Sequence, residues 1–392
     1  MAKLRPWLFN RLASLLRAPS LQAADLLEIA AKQEGETDFG EPGFEPALEV
    51  LTRSLAEDAR LSPIGRQALH GLLVRNLAMC LRLVADQRRR PEVYARPLTP
   101  PILILGMPRA GTTFLQRLLS AMPDARPARA WEINQPLAPA RGEDQRFEQA
   151  VKQVTMMRRL APELEHKHRI EPSEPDECVL LMGPSFRSIS WWMIAPVYSY
   201  LDWLFEQDLR PSYAEYHAYL RALQAAEGGR FVLKAPAHTG YLAEIVAEIP
   251  DVVVVAAHRD PVTVIASASS LFDSMYSLVS EHHDSPRTAR RNLELFAALT
   301  DRCQAARDSG LDERVLDVRY ETLIADPIAA VRRIYEHGSI PWPEGGEAAL
   351  RGFLGADGRR GGKRHDYSLE RFGLREAEIR ERFADYSRRY LG

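Results

Sequence analysis

The segment ILILGMPRAGTT, Ile102 to Thr113, constrains the fold more than any other stretch of the chain. Four apolar residues in a row suit a buried strand, and a glycine-bounded loop then leads into an apolar helix pattern that begins at Thr112. A strand, a tight loop and a helix N-terminus in that order present backbone N–H groups to an anion, and the helix dipole favours negative charge there. Gly111 lets the backbone approach such a ligand closely. The Thr112 and Thr113 hydroxyls add donors, and Arg109 is the cation of the loop. The spacing follows G-x-x-x-x-G, but the loop of a nucleotide triphosphatase requires Lys next, and Thr112 stands there. The loop reads as a phosphate cradle without the usual lysine; the alternative is an ordinary βα turn in which Gly and Pro serve geometry alone.

Three more short apolar runs follow, Phe231–Leu233, Val252–Ala257 and Val315–Val318, each leading into polar loop residues. Runs apolar on both faces predict parallel strands covered by helices on two sides. Helices are predicted at Thr112–Ala121, Gly240–Ile249, Val262–Ser280 and Pro286–Ser309. The fold class is therefore α/β, a P-loop-like central parallel sheet flanked by helices. Residues 1–95 read as a helical N-terminal extension, in which Leu48, Leu51, Leu55 and then Leu69, Leu72, Leu73, Leu77 and Leu81 recur at helical steps. The α/β domain takes 96–392 and carries at 131–230 a mostly helical, aromatic-rich insertion. The Gly/Arg-rich stretch Gly352 to Arg364 is not expected to be helical.

Composition narrows the partners. The chain has 392 residues, 46% hydrophobic and 27% charged, and a net charge of −2, so no global field draws in nucleic acid or anionic membrane. Cys80, Cys178 and Cys303 fall in no C-x-x-C pairing, which argues against a disulfide framework or zinc knuckle. The most apolar stretch, Ser188 to Leu201, is broken by Pro196 and falls short of the roughly 20 residues a spanning helix needs. At the N-terminus Leu8, Leu12, Leu15 and Leu16 share a helical face and read as a first amphipathic helix rather than a signal segment. A cytoplasmic protein without a membrane span is expected.

The run Pro108-Arg109-Ala110-Gly111-Thr112-Thr113 fits the pattern P-[KR]-[SA]-G-T-T, and in it the chain resembles the sulfotransferases that use 3′-phosphoadenosine 5′-phosphosulfate (PAPS). Arg at the second position is the variant of the tyrosylprotein sulfotransferases and their bacterial relatives. The resemblance implies that this loop clasps the 5′-phosphosulfate and that Arg109 neutralises charge on the breaking bridge. A second family motif, a strand ending in Arg with Ser eight residues on, is matched by VVVVAAHRDP, with Arg259 and then Ser267. Arg259 falls at the carboxyl end of a parallel strand, where α/β ligand sites lie, and with the Ser267 hydroxyl it suits a 3′-phosphate. Tyr320 opens a Y-E-x-L segment that the resemblance brings to the same phosphate; strand-end packing is the alternative. The basic run holding Lys363 and Arg364 resembles in placement the family's segment that closes over the nucleotide.

Sulfuryl transfer to an alcohol needs a base, cations at the developing charge, and exclusion of water. Glu132, twenty-three residues after Arg109, stands close to where the resembled branch carries its catalytic glutamate, and Trp131 beside it would desolvate the carboxylate; the alternative is ion pairing with Arg126 or Arg129. Lys234, ending the strand at Phe231, falls where the family places a lysine on the leaving oxygen or sulfuryl group. His238 is the rival base, although the small-molecule branch has K-x-H and this chain has Lys234 four residues before it. His166 and His168 precede the acidic run Glu171 to Glu177 and are expected to border the acceptor pocket; they lack a third ligand, so no metal is expected. Trp191 and Trp192, with neighbouring aromatics, are candidates for an apolar pocket wall.

The expected activity is sulfuryl transfer from PAPS to the hydroxyl of a small lipophilic alcohol or phenol, with Glu132 as base and Arg109 and Lys234 as cations. Nucleic acid is not an expected partner, and a homodimer stays open. Two other readings compete: a P-loop kinase or NTPase dependent on Mg²⁺, and a catalytically silent nucleotide-binding interaction protein.

Overall fold

The computed structural model describes residues 18–40, 42–140, 142–162, 164–357 and 368–392. The expected first amphipathic helix, Lys363 and Arg364 lie outside these residues, and so does the side chain of His166.

Five strands form one sheet in the order β2-β3-β1-β4-β5: β1 (Ile102–Gly106), β2 (Ala125–Pro127), β3 (Arg230–Lys234), β4 (Val253–His258) and β5 (Val315–Arg319). Every neighbouring pair is parallel. The strand before the phosphate loop is thus the central one. Along β1, Ile102 and Ile104 face a cluster with Val232, Val255 and Val318, covered by the helices Thr112–Leu119 and Pro327–His337. Leu103 and Leu105 face the other way, into a larger cluster with Phe231, Leu233 and Val254. Both faces being buried, none of the central strands shows a polar alternation.

The larger cluster also takes Leu48 and Leu51 from the helix Glu45–Glu57 and Leu69, Leu73 and Leu77 from Pro63–Arg89. The N-terminal helices and the sheet therefore bury their apolar faces against one another. Pro63–Arg89 and Pro261–Val279 are each long and apolar enough to cross a membrane, but more than half of each apolar window is buried inside the fold.

The predicted helices form at Thr112–Leu119, Leu242–Glu248, Pro261–Val279 and Ser285–Ala306. The Asp260 and Asp284 side chains cap the last two by accepting from the N–H groups of Val262 and Arg287. One expectation is corrected. The helix Gly346–Asp357 runs through Gly352 and Gly355, because Leu350, Phe353 and Leu354 recur at helical spacing and pack on the Ile102 face of the sheet. That burial outweighs a cost of about 1 kcal/mol per helical glycine.

Candidate active site

All five strands run the same way, so their carboxyl ends define one edge, and the loops that follow carry the sequence candidates. The phosphate loop leaves β1 at Gly106, whose φ is +120°; a Cβ there would stand 2.3 Å from the carbonyl oxygen of Ala257 on β4. At Gly111, φ +87°, a Cβ would stand 2.8 Å from the Tyr320 ring. Glycine is required at both places by conformation and by space. Ala110 and Thr112 are buried, Pro108 and Thr113 half-buried.

Arg109 turns its side chain across the edge. Its Nε donates to Ser267 Oγ at 3.1 Å and its Nη1 to the Lys167 carbonyl at 3.1 Å. Arg259 Nη1 donates to the Arg109 carbonyl at 2.9 Å, and the same guanidinium lies 4.0 Å over the Tyr320 ring. Four residues spread over more than 200 positions, Arg109, Arg259, Ser267 and Tyr320, thus meet around one loop.

Lys234, at the end of β3, is buried and pairs with Glu177 Oε1 at 2.9 Å. Beside it, burial would raise the Asp176 carboxyl, but His168 and Lys234 hold it below the usual range; His168 Nε2 lies 3.4 Å from Asp176 Oδ1. The Glu177 N–H donates to Asp176 Oδ1 at 2.8 Å, which fixes the turn that presents Glu177.

Glu132 is engaged elsewhere. It is buried, with Oε1 2.8 Å from Arg126 Nη2 and Oε2 accepting from the Arg129 N–H at 3.3 Å. It thereby caps the helix Ala130–Asn134 and neutralises Arg126, the buried middle residue of β2. The ion-paired alternative for Glu132 describes this arrangement, and the carboxylate bonded to Lys234 is Glu177.

His238 packs against the rings of Tyr213 and Tyr216. It is fully buried, with Nδ1 2.9 Å from the Tyr213 hydroxyl and Nε2 3.4 Å from Cys178 Sγ, and burial pushes its pKa down to about 3. Its offset from Lys234 carries it into the turn Pro236–Tyr241, beneath the edge. Trp192 is also core, donating to Asn292 Oδ1 at 2.9 Å. Trp191 is buried and stacked on Phe186 at 5.6 Å, and it borders a cavity of about 20 Å³, room for one water. Among the described residues no group of three His, Cys, Asp or Glu is placed to hold a metal.

Glu177 was visible in the sequence only as one member of an acidic run. Nothing in spacing links it to Lys234, 57 residues away. Lys167, donating from Nζ to the Ser270 carbonyl and to Ser274 Oγ, gave no sequence signal.

No curated protein matches the chain. Two solved structures share its fold over nearly its whole length. Sulfotransferase STF9 from Mycobacterium avium is 25% identical, with a TM-score of 0.85 over 96% of this chain and 98% of that one. Sulfotransferase STF1 from Mycobacterium tuberculosis H37Rv is 28% identical, with a TM-score of 0.80 over 94% and 99%. The model of the sulfotransferase family matches residues 100–344, and with more than half of its length so matched the chain belongs to the sulfotransferase family.

Proposed function

We propose that this sulfotransferase moves the sulfuryl group of PAPS to the hydroxyl of a small lipophilic alcohol or phenol, without a metal. The observation that carries the donor is the gathering of Arg109, Ser267, Arg259 and Tyr320 around the loop. The residues present fit a nucleotide with phosphates at both ends. The loop keeps Gly111 where a Cβ would stand 2.8 Å from the Tyr320 ring, so the backbone packs closely there. The helix N-terminus at Thr112 and the Arg109 guanidinium suit the phosphosulfate, while Arg259 and Ser267 suit a 3′-phosphate.

PAPS supplies a sulfuryl group bonded to a phosphate that leaves as adenosine 3′,5′-bisphosphate. The chain supplies the rest. The acceptor oxygen forms its bond to sulfur as the bond from sulfur to the bridging oxygen breaks, and Glu177 takes the hydroxyl proton. Lys234 holds Glu177 in place at 2.9 Å and, with Arg109, stabilises negative charge at the edge. Glu177 replaces Glu132 as the base in this reading because Glu132 already serves Arg126 and a helix cap.

A lipophilic acceptor is supported by the surface next to the edge. Of the four exposed large hydrophobic residues described, Phe147, Val151 and Met156 lie on the helix Arg146–Leu160, and Phe147 packs edge-on against Trp131 at 6.2 Å. Phe147 and Val151, one turn apart, share a face of that helix and offer apolar surface to such an acceptor. The unpaired thiols of Cys80, Cys178 and Cys303 suit the cytoplasm.

Calorimetric titration with adenosine 3′,5′-bisphosphate, and with ADP with and without Mg²⁺, tests the donor. Tight binding that needs the 3′-phosphate, ignores the metal and is weakened by Arg259→Ala is the expected result. Preference for ADP with Mg²⁺ would return the protein to phosphoryl transfer.

A further inference from the structure

Behind Arg259 lies a hydrogen-bonded chain that neither the phosphate motifs nor the family match at 100–344 includes in full. His258 ends β4 immediately before Arg259. Its Nε2 lies 2.7 Å from Asp317 Oδ1 on β5, and Asp317 also accepts from Arg307 Nη1 at 2.7 Å and Nη2 at 2.8 Å. Burial would raise the Asp317 carboxyl, but Arg307 and His258 hold it far below the usual range, so it accepts from His258 as a carboxylate. Nε2 therefore donates to it, in the tautomer that leaves Nδ1 as an acceptor.

The group that fills that role comes from the far end of the chain. Tyr386, on the C-terminal helix Ala384–Tyr390, sets its hydroxyl 3.0 Å from His258 Nδ1. Burial keeps this phenol protonated. One orientation satisfies the three side chains: Tyr386 O–H to His258 Nδ1, and His258 Nε2–H to Asp317. Tyr390, one turn on, stacks its ring on His258 with centroids 4.3 Å apart and 8° between planes. These side chains also wall a cavity of about 20 Å³ against Gly106 and Met107, at the root of the phosphate loop.

We infer that Tyr386 is a positioning residue of the donor site, through which the C-terminal helix fixes the peptide from which Arg259 reaches the nucleotide. The inference rests on the reading that Arg259 binds the 3′-phosphate. Tyr386 acts through His258: it holds the ring at the end of β4 and with it the strand end from which Arg259 projects.

The test is a double-mutant cycle read by calorimetric titration of the full-length chain with adenosine 3′,5′-bisphosphate. Tyr386→Phe keeps the ring and removes the hydroxyl, and one hydrogen bond lost predicts about two- to tenfold weaker binding. Combined with Arg259→Lys, it is expected to weaken binding much less than it does alone. Tyr335→Phe, which loses a bond of similar kind to Asp124 at 2.7 Å away from the site, is expected to bind as the parent does. Tyr390→Leu, which removes the ring stacked on His258, gives a second reading if Tyr386→Phe does not fold. Unchanged affinity in Tyr386→Phe, or an equal loss in the Arg259→Lys background, overturns the inference while leaving the donor assignment standing. Unchanged affinity in Arg259→Ala sinks the donor assignment, and the inference falls with it.

Discussion

Arg109 combines a functional side chain with a costly backbone. Its φ of +68° is left-handed, a conformation that costs a residue other than glycine on the order of 1–3 kcal/mol. The bond from Arg259 to its carbonyl helps hold that conformation, so each phosphate motif supports the other. The carboxylates divide by the same kind of accounting. Glu177→Gln should lower turnover about 10²- to 10⁴-fold, the usual share of general-base catalysis, with affinity for adenosine 3′,5′-bisphosphate nearly unchanged. Glu132→Gln should instead lower stability in denaturant unfolding by about 3–5 kcal/mol, the range for breaking a buried pair, because Arg126 keeps its burial and loses its partner. A Glu132→Gln variant with parental stability and no turnover would return the base role to Glu132. The loop and strand-end cations were legible because each is bound to a local signature, a glycine spacing or a strand terminus. The Glu177–Lys234 pair was not, since that contact comes from tertiary packing across 57 positions of sequence, whereas Glu132 stands close to Arg109 along the chain.

The strands were legible for a plain reason: with helices on both faces, β1, β3 and β4 show as short, nearly unbroken apolar runs. The edge strand β2, three residues ending in Pro127, carries no such run, and Pro on an edge strand hides it further. The end of the helix Gly346–Asp357 is hard to read because Gly352 and Gly355 open a Gly/Arg-rich stretch that masks the apolar spacing before it. The turn between β1 and its helix is where local geometry and site meet most tightly. Gly111→Ala places a methyl group 2.8 Å from the Tyr320 ring at a φ of +87°, and Tyr320 carries the Arg259 guanidinium on its face. The substitution should lower stability by about 1–2 kcal/mol from the left-handed backbone alone. It should also weaken adenosine 3′,5′-bisphosphate binding by at least the loss seen in Arg259→Lys. Calorimetry on the folded variant checks this, and parental affinity would show that the loop accommodates a side chain and that Tyr320 is packing alone.

For the whole molecule, the open matter is how the helices before residue 96 relate to the sheet. The sequence reads as a helical extension over 1–95 and an α/β domain from 96, which suggests a boundary, yet Leu48, Leu51 and Leu77 lie in the same apolar cluster as Leu103, Leu233 and Val254. A core shared in this way should unfold as one unit. Leu77→Ala, at a fully buried position of the helix Pro63–Arg89, should cost about 2–5 kcal/mol from lost burial and the cavity left behind. Thermal unfolding of parent and variant with and without adenosine 3′,5′-bisphosphate separates the two architectures. If the core is continuous, each protein shows one transition. Leu77→Ala lowers it, the nucleotide raises it in both, and the nucleotide's effect acts on the whole chain although its site lies at the far edge of the sheet. Two transitions, one moved only by Leu77→Ala and the other only by the nucleotide, would mean that residues 1–95 fold apart from the sheet and that the shared cluster is an interface between two units.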